Sequence, residues 1–249
     1  MTTSWDDGDP KDLKIAELLL THDLRGTFYV PIQGYAGHRL SAADLRSLAS
    51  EGFEIGAHAV SHRTLLNLHA KELEFEVTTC KNVLEQTIGN GVRMFCYPNG
   101  RYDAGIIRQL TKTGYAGART TRMLSLADQF HPFEMPTTVQ AYPHARTAYV
   151  RNLGRARNMS GLWKYVTEFS RLTSWVDLGK RLFGQVLENG GIWHLYGHSW
   201  EIDEMGIWNE LREMLDYVSG RKGVTYLSNG ELVPYRLISR PRAILRVSN

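Results

Sequence analysis

Thr2-Thr3-Ser4-Trp5-Asp6-Asp7-Gly8-Asp9-Pro10 is the stretch on which the fold turns. Four residues of strand type run into two adjacent carboxylates and a glycine. Asp9-Pro10 then reads as an N-cap with proline at the first helical position, ahead of the apolar stripe Leu13, Ile15, Leu18, Leu19 and Leu20. A strand that passes into a helix through a polar turn is the first part of a βα unit. Adjacent carboxylates repel, so a fold that sets both at a strand end places a cation beside them or keeps one proton between them.

The same alternation continues along the chain. Gly26 to Val30, Phe53 to His58, Val92 to Tyr97, Tyr115 to Thr120, Gly191 to Tyr196 and Val224 to Leu227 read as further strands. Ser41 with Asp44 resembles a capping box for a helix through Leu45 and Leu48. Leu73, Val77, Cys80, Leu84 and Ile88 stripe a long helix over Ala70 to Ile88, ended by Gly89-Asn90-Gly91. Asp103 caps a helix through Ile106, Ile107 and Leu110, and helical spacing returns at Trp163, Val166 and Phe169, at Val176 to Leu187, and at Ile207 to Val218. Between Met123 and Ser160 the pattern breaks down, which predicts a functional insertion or an irregular cap. The expected class is α/β with about seven parallel strands, and periodicity leaves a doubly wound sheet and a barrel both open.

In a parallel barrel the loops at the carboxyl ends of the strands build the site. Asp6-Asp7, His58, Pro98-Asn99-Gly100 and His198 all fall at or just after strand-like runs. His58 and His62, four apart, can share a metal, and one Asp with two His leaves the last position of a tetrahedral zinc site open to water. Zinc proteases carry a glutamate after the first histidine, but Ala59 stands there, so Asp6 or Asp7 must act as the base. Asp9 accounts for helix capping and leaves Asp6 and Asp7 without a structural reason. The residues therefore point to metal-assisted hydrolysis. Zinc is the first expectation, with cobalt, manganese and nickel compatible with the same N/O donors.

At 249 residues and 43% hydrophobic the chain can bury one full core, and residues 1–249 are expected to form a single domain. Cys80 and Cys96 are far apart, with Cys96 in an apolar run, so reduced thiols in a cytoplasmic protein are expected. No leader pattern precedes Asp6, and no run nears the ~18 apolar residues of a membrane helix. The net charge of +3 is small, and no nucleic-acid partner is expected. Tyr235 to Arg246 carries four arginines among apolar residues. That tail is expected to be a solvated surface, with weak contact to phosphate or a membrane surface as the alternative. Oligomeric state is not legible.

Ser4-Trp5-Asp6-Asp7-Gly8, His58-Ala59-Val60-Ser61-His62 and Phe95-Cys96-Tyr97-Pro98-Asn99-Gly100 resemble, in order, the first three motifs of the polysaccharide deacetylase superfamily, which includes the NodB-type chitooligosaccharide deacetylases. Cys96 stands where many members place an arginine. The resemblance implies a distorted (β/α) barrel with Asp6 as general base, Asp7, His58 and His62 as metal ligands, and the Asn99 N–H in an oxyanion pocket. In the fifth motif His198 is the expected acid rather than His194, which falls in an apolar strand. The fourth motif's carboxylate is not found near Arg119-Thr120-Thr121-Arg122. Tyr97, Pro98, Asn99 and Trp200 are the expected substrate contacts, with Tyr196 a further ring for stacking. The implied reaction removes an N-acetyl group from an amino sugar, nucleotide- or lipid-linked, on the way to a surface polysaccharide such as an O-antigen. Deacylation of a small non-sugar amide or formyl group, and a silent carbohydrate-binding homologue, are the alternatives.

Overall fold

The computed structural model describes residues 1–155, 159–169, 172 and 174–238. Seven strands, β1 (Thr2–Asp6), β2 (Thr27–Val30), β3 (Glu54–Ala57), β4 (Met94–Cys96), β5 (Gly117–Arg119), β6 (Val139–Gln140) and β7 (His194–Gly197), form one parallel sheet in the order β5-β4-β3-β2-β1-β7-β6. The sheet curls into a distorted (β/α) barrel. Its two edges are joined by a single crossing segment: Met135 pairs with Arg119 beside β5, and six residues later Ala141 N–H donates to the Tyr196 carbonyl beside β7. A segment this short cannot pair along its whole length with both neighbours, which gives the barrel its seam.

Helices cover the outside. α1 (Asp12–Thr21) and α2 (Ala42–Ser50) bury Ile15, Leu19, Leu45 and Leu48 against the strands. α2 carries the expected capping box between Ser41 and Asp44. Asp9 does not cap α1. Its Oδ1 accepts from Lys11 N–H at 2.9 Å and its carbonyl from Asp12 N–H at 2.8 Å, so Asp9-Pro10 makes a turn and the helix opens later.

The long helix over 70–88 is interrupted. α3 (Ala70–Glu74) and α4 (Cys80–Ile88) flank a π-helical turn at Phe75–Thr79, a feature that inserts one residue and redirects the side chains around it. Gly89, at φ 72°, ends α4 in the left-handed conformation expected for it. α5 (Ala104–Thr113) is capped by Asp103, whose Oδ1 accepts from Ile106 N–H at 2.9 Å.

The region without a readable pattern holds β6, α6 (Arg146–Arg155) and the start of α7 (Met159–Lys164). α8 (Trp175–Asn189), α9 (Ser199–Met205), α10 (Trp208–Val218) and α11 (Asn229–Ile238) complete the shell.

The strand count agrees with the sequence, but one member differs. Val224 to Leu227 is not a strand. Leu227 N–H donates to the Met1 carbonyl and the Met1 amino group to Thr225, just outside β1, whose two edges already carry β2 and β7. The seventh strand is β6. The side chains of the arginine-bearing tail, from Tyr235 onward, lie outside the described residues.

The end of the barrel away from the carboxyl rim is sealed by α11. Asn229 bonds Thr2 Oγ1 and Tyr29 OH at 2.8 and 2.9 Å, and Gly230 N–H donates to Glu54 at 2.8 Å. No helix among the described residues is long and apolar enough to cross a membrane.

Candidate metal and hydrolytic site

All strand pairs are parallel, so Asp6, His58, the Pro98–Gly100 turn and His198 emerge at one rim. They border a cleft of about 1000 Å³. The loops that carry them hold five non-glycine residues at positive φ: Asp7 (80°), Ala59 (66°), His62 (57°), Asn67 (64°) and Asn99 (57°). Each such residue costs on the order of 1–3 kcal/mol and persists where surrounding contacts impose it.

Those contacts are specific at the histidine loop. Glu76, turned inward by the π-helical turn, accepts from Val60 N–H at 2.9 Å, Ser61 N–H at 3.0 Å and Ser61 Oγ at 2.6 Å, and pairs with Arg63 Nε at 3.0 Å. His58 and His62 are thereby held on one side of Asp7, whose Oδ1 lies 3.6 Å from His58 Nε2 and 3.1 Å from His62 Nε2. Despite this proximity Asp7 Oδ1 is buried without a properly aligned hydrogen bond. An unsatisfied buried carboxylate oxygen is costly, and three donor atoms within 4.8 Å of one another form a socket that a divalent cation fits.

The surrounding bonds prepare the donors. His58 Nδ1 donates to the Cys96 carbonyl at 2.8 Å, which leaves the Nε2 lone pair facing Asp7, as in metal-binding histidines whose other ring nitrogen is held by a carbonyl. Burial pushes His58 down to about 4, so its imidazole is neutral, as ligation requires. Trp200 Nε1 donates to Asp7 Oδ2 at 2.9 Å and fixes the carboxylate plane. Burial alone would raise Asp7; contact with His62 and the charges of His198 and His58 outweigh it and hold the group below the usual carboxylate range.

Asp6, Cys96 and His58 also converge, but this set suits a cation less well. Asp6 Oδ1 is already taken by Arg119, and burial raises the Cys96 thiol well above its ordinary value, keeping its proton.

Arg119 is fully buried at the end of β5, and its Nη2 donates to Asp6 Oδ1. Tyr29 and Tyr196 flank the guanidinium at 5.4 and 4.8 Å. Burial works to raise Asp6, yet the charges of Arg119, His58 and His198 prevail and hold it below the usual range. Cys96 and Arg119 are register partners across β4 and β5, and Cys96 Sγ lies 3.8 Å from Asp6 Oδ2. Cys96 and Arg119 thus both reach the same carboxylate from adjacent strands.

His198, the residue before α9, points Nε2 at Asp6 Oδ2 and Asp7 Oδ2, 3.8 and 3.9 Å away. Its Nδ1 donates to Glu201 Oε2 at 2.6 Å. Burial disfavours the imidazolium, but the Glu201 hydrogen bond and the charges of Asp6, Glu201 and Asp7 raise His198 to about 9. The carboxylate sought in the fourth motif is supplied three residues downstream, on the same helical turn.

The other candidates divide. His194 is buried, bonded to Ser4 Oγ at 2.9 Å and the Pro136 carbonyl at 3.1 Å, a satisfied core histidine. Asn99 and Trp200 border the cleft. Tyr97 forms part of its wall but is 0% exposed, stacked on Tyr102 at 4.6 Å with its OH on the Phe133 carbonyl, so its ring is not open to stacking by a sugar. Pro98 is buried and starts the turn without lining the cleft. Sequence reasoning missed Arg119 as a partner of Asp6, the roles of Glu76 and Glu201, and Tyr35 and Gln140, which border the cleft. An arginine inside an apolar strand run, and a glutamate three residues from the expected acid, were the available signals.

Comparison with known proteins agrees with the geometry. A family model described as polysaccharide deacetylase matches residues 1–118. The chain is 28% identical over 114 residues to the chitooligosaccharide deacetylase of Azorhizobium caulinodans, covering 45% of this chain and 53% of that protein. It is 26% identical over 84 residues to YxkH of Bacillus subtilis, named for the same family, covering 34% and 30%. The matches thus span about half or less of these relatives. A Mycobacterium smegmatis structure named for the family superposes with a TM-score of 0.70 at 16% identity, covering 100% of this chain and 94% of that one. Over residues 1–118 the chain is thus similar to the polysaccharide deacetylase family, and its fold is the one seen in the Mycobacterium smegmatis structure.

Proposed function

We propose that the protein hydrolyses the N-acetyl group of an amino sugar, giving acetate and a free amine. The observation that carries this reading is the convergence on one rim of a cation socket (Asp7, His58, His62), a carboxylate outside it (Asp6) and an imidazole held protonated (His198). A divalent ion held by Asp7, His58 and His62, zinc first, would when bound polarise the scissile carbonyl and acidify water.

The chain's own groups do the rest. Asp6, kept ionised by Arg119, takes a proton from the attacking water as oxygen adds to the acetyl carbon. As the family resemblance implies, the Asn99 N–H would donate to the developing oxyanion, where loss of a donor costs roughly 3–4 kcal/mol. His198, charged near neutral pH, gives its proton to the nitrogen as the C–N bond breaks, because an amide anion is too poor a leaving group to depart unprotonated. Trp200 and Tyr35 form the wall on which a pyranose would rest.

For the substrate we propose an N-acetylated sugar carried on a nucleotide or lipid, an intermediate of surface polysaccharide assembly handled in the cytoplasm. Arg119 and Glu201 supply the two charges whose absence from the motifs would have favoured a silent homologue. The test is release of acetate, scored against formate, from nucleotide-linked, lipid-linked and free N-acetylated sugars, with Asp6→Asn as control. Acetate release abolished by that change supports the reading. Full activity in Asp6→Asn refutes the base assignment, and formate as the sole product moves the substrate to a formyl amide.

A further inference from the structure

Glu201 must keep one rotamer if it is to orient His198, and a single exposed-type contact three residues away on a helix is worth only a few tenths of a kcal/mol. A second anchor comes from β6. Gln140 Nε2 donates to Glu201 Oε2 at 3.0 Å, the same oxygen that accepts from His198 Nδ1. Gln140 Oε1 accepts from Tyr196 OH and from His144 Nε2, each at 2.8 Å. The amide has one workable orientation, because turning it over would set its carbonyl oxygen against a carboxylate. Gln140 is itself the register partner of Tyr196 across β6 and β7 and is 7% exposed. The glutamine is therefore fixed by backbone, by two donors and by burial.

We infer that Gln140 is a positioning residue for proton donation: it locks Glu201, and through it the ring orientation and tautomer of His198. It touches no reacting atom. The kinetic consequence rests on the deacetylase reading above, whereas the structural consequence does not.

Two measurements test it. The His198 Nδ1 proton, in a 2.6 Å hydrogen bond, is to be followed by NMR far downfield of the amide envelope, in the wild type, Gln140→Met and Tyr196→Phe. It is expected in the wild type and in Tyr196→Phe, which leaves the Gln140–Glu201 bond intact, and lost or broadened in Gln140→Met. An unchanged resonance in Gln140→Met overturns the inference whatever the enzyme's activity. Should Gln140→Met fail to fold, Gln140→Leu also removes the donor without adding a second carboxyl group, and the same loss is expected. In kinetics, Gln140→Met should lower kcat for an N-acetyl sugar by about 10- to 100-fold, the range typical of orienting partners, with KM little changed. Hydrolysis of 4-nitrophenyl acetate, whose leaving group needs no proton, should fall less than about threefold. Equal loss on both substrates refutes the positioning role. A wild type inactive on every substrate sinks the deacetylase reading, while the resonance still decides the role of Gln140.

Discussion

Replacing Arg119 with methionine removes the permanent positive charge that, among the described residues, contacts Asp6 and leaves a carboxylate that is 3% exposed without its partner. Removing one member of a buried pair typically costs about 3–5 kcal/mol. For a chain of this size each kcal/mol corresponds to roughly 2–4 °C in Tm, so a fall of about 6–20 °C is expected. The carboxylate can limit that cost by taking up a proton, since burial is the largest influence on Asp6 and acts to raise it. Asp6 then no longer accepts a proton at neutral pH, and kcat should fall by about 10²- to 10⁴-fold.

The sign follows from the depressed native value. The stability Arg119 supplies through Asp6 is present above the unfolded aspartate value of about 3.9 and is lost as pH falls through the lower folded one. The penalty in Arg119→Met should therefore shrink in acid. Because Cys96 and Arg119 are cross-strand partners that both reach Asp6, the volume-conserving swap Cys96→Arg with Arg119→Cys should recover most of the rate. Thermal unfolding at several pH values, with acetate release for each variant, gives the answer. A variant Arg119→Met that melts within 2 °C of wild type and retains its rate would refute the reasoning.

Three further outcomes can be checked. His198 is raised to about 9, so its contribution is complete below the unfolded histidine value of about 6.5 and disappears as pH climbs through 9. The alkaline limb of the rate profile should lie there, and Glu201→Gln should move it down by about one to two pH units; an unmoved limb argues against His198 as the acid. Glu76→Ala frees the loop between His58 and His62 and should weaken metal affinity by roughly 10- to 100-fold, measured by competition with a zinc indicator, with unchanged affinity assigning Glu76 to packing alone. Gly56 lies under the Tyr29 ring, where an added Cβ would fall 2.4 Å from Cδ1. Gly56→Ala should cost about 1–3 kcal/mol by overpacking, read by denaturant unfolding, and a neutral result would mean that the barrel interior yields more readily than its packing implies.

Short apolar runs bounded by turn residues made β1 through β4 and the rim they end on legible in the sequence. So were Asp6, Asp7, His58, His62 and His198, because each follows a strand-like run. β6 was not, because two residues cannot show a period, and its ladder exists only where the crossing segment from Met135 meets β7. Val224 to Leu227 has the composition of a strand but no free edge to join, a fact of topology that composition does not carry. Arg119 resembled a polar interruption of an apolar run, since alternation along a strand does not reveal that the inward face holds a carboxylate from β1. Glu76 lies between Leu73 and Val77 on a helical stripe, and only the π-helical turn directs it onto the histidine loop. Tyr97 shows the opposite failure: an aromatic residue beside the cleft proved to be core, since Tyr102 and Phe133 enclose it.

The central claim, that Asp7, His58 and His62 hold a divalent cation beside an unligated Asp6, is tested most directly by metal stoichiometry. Zinc titrated calorimetrically into metal-stripped protein should bind at one ion per chain, with binding retained in Asp6→Asn and lost in a folded His58→Ala. Absence of binding to the wild type, or equal binding in His58→Ala, would contradict it.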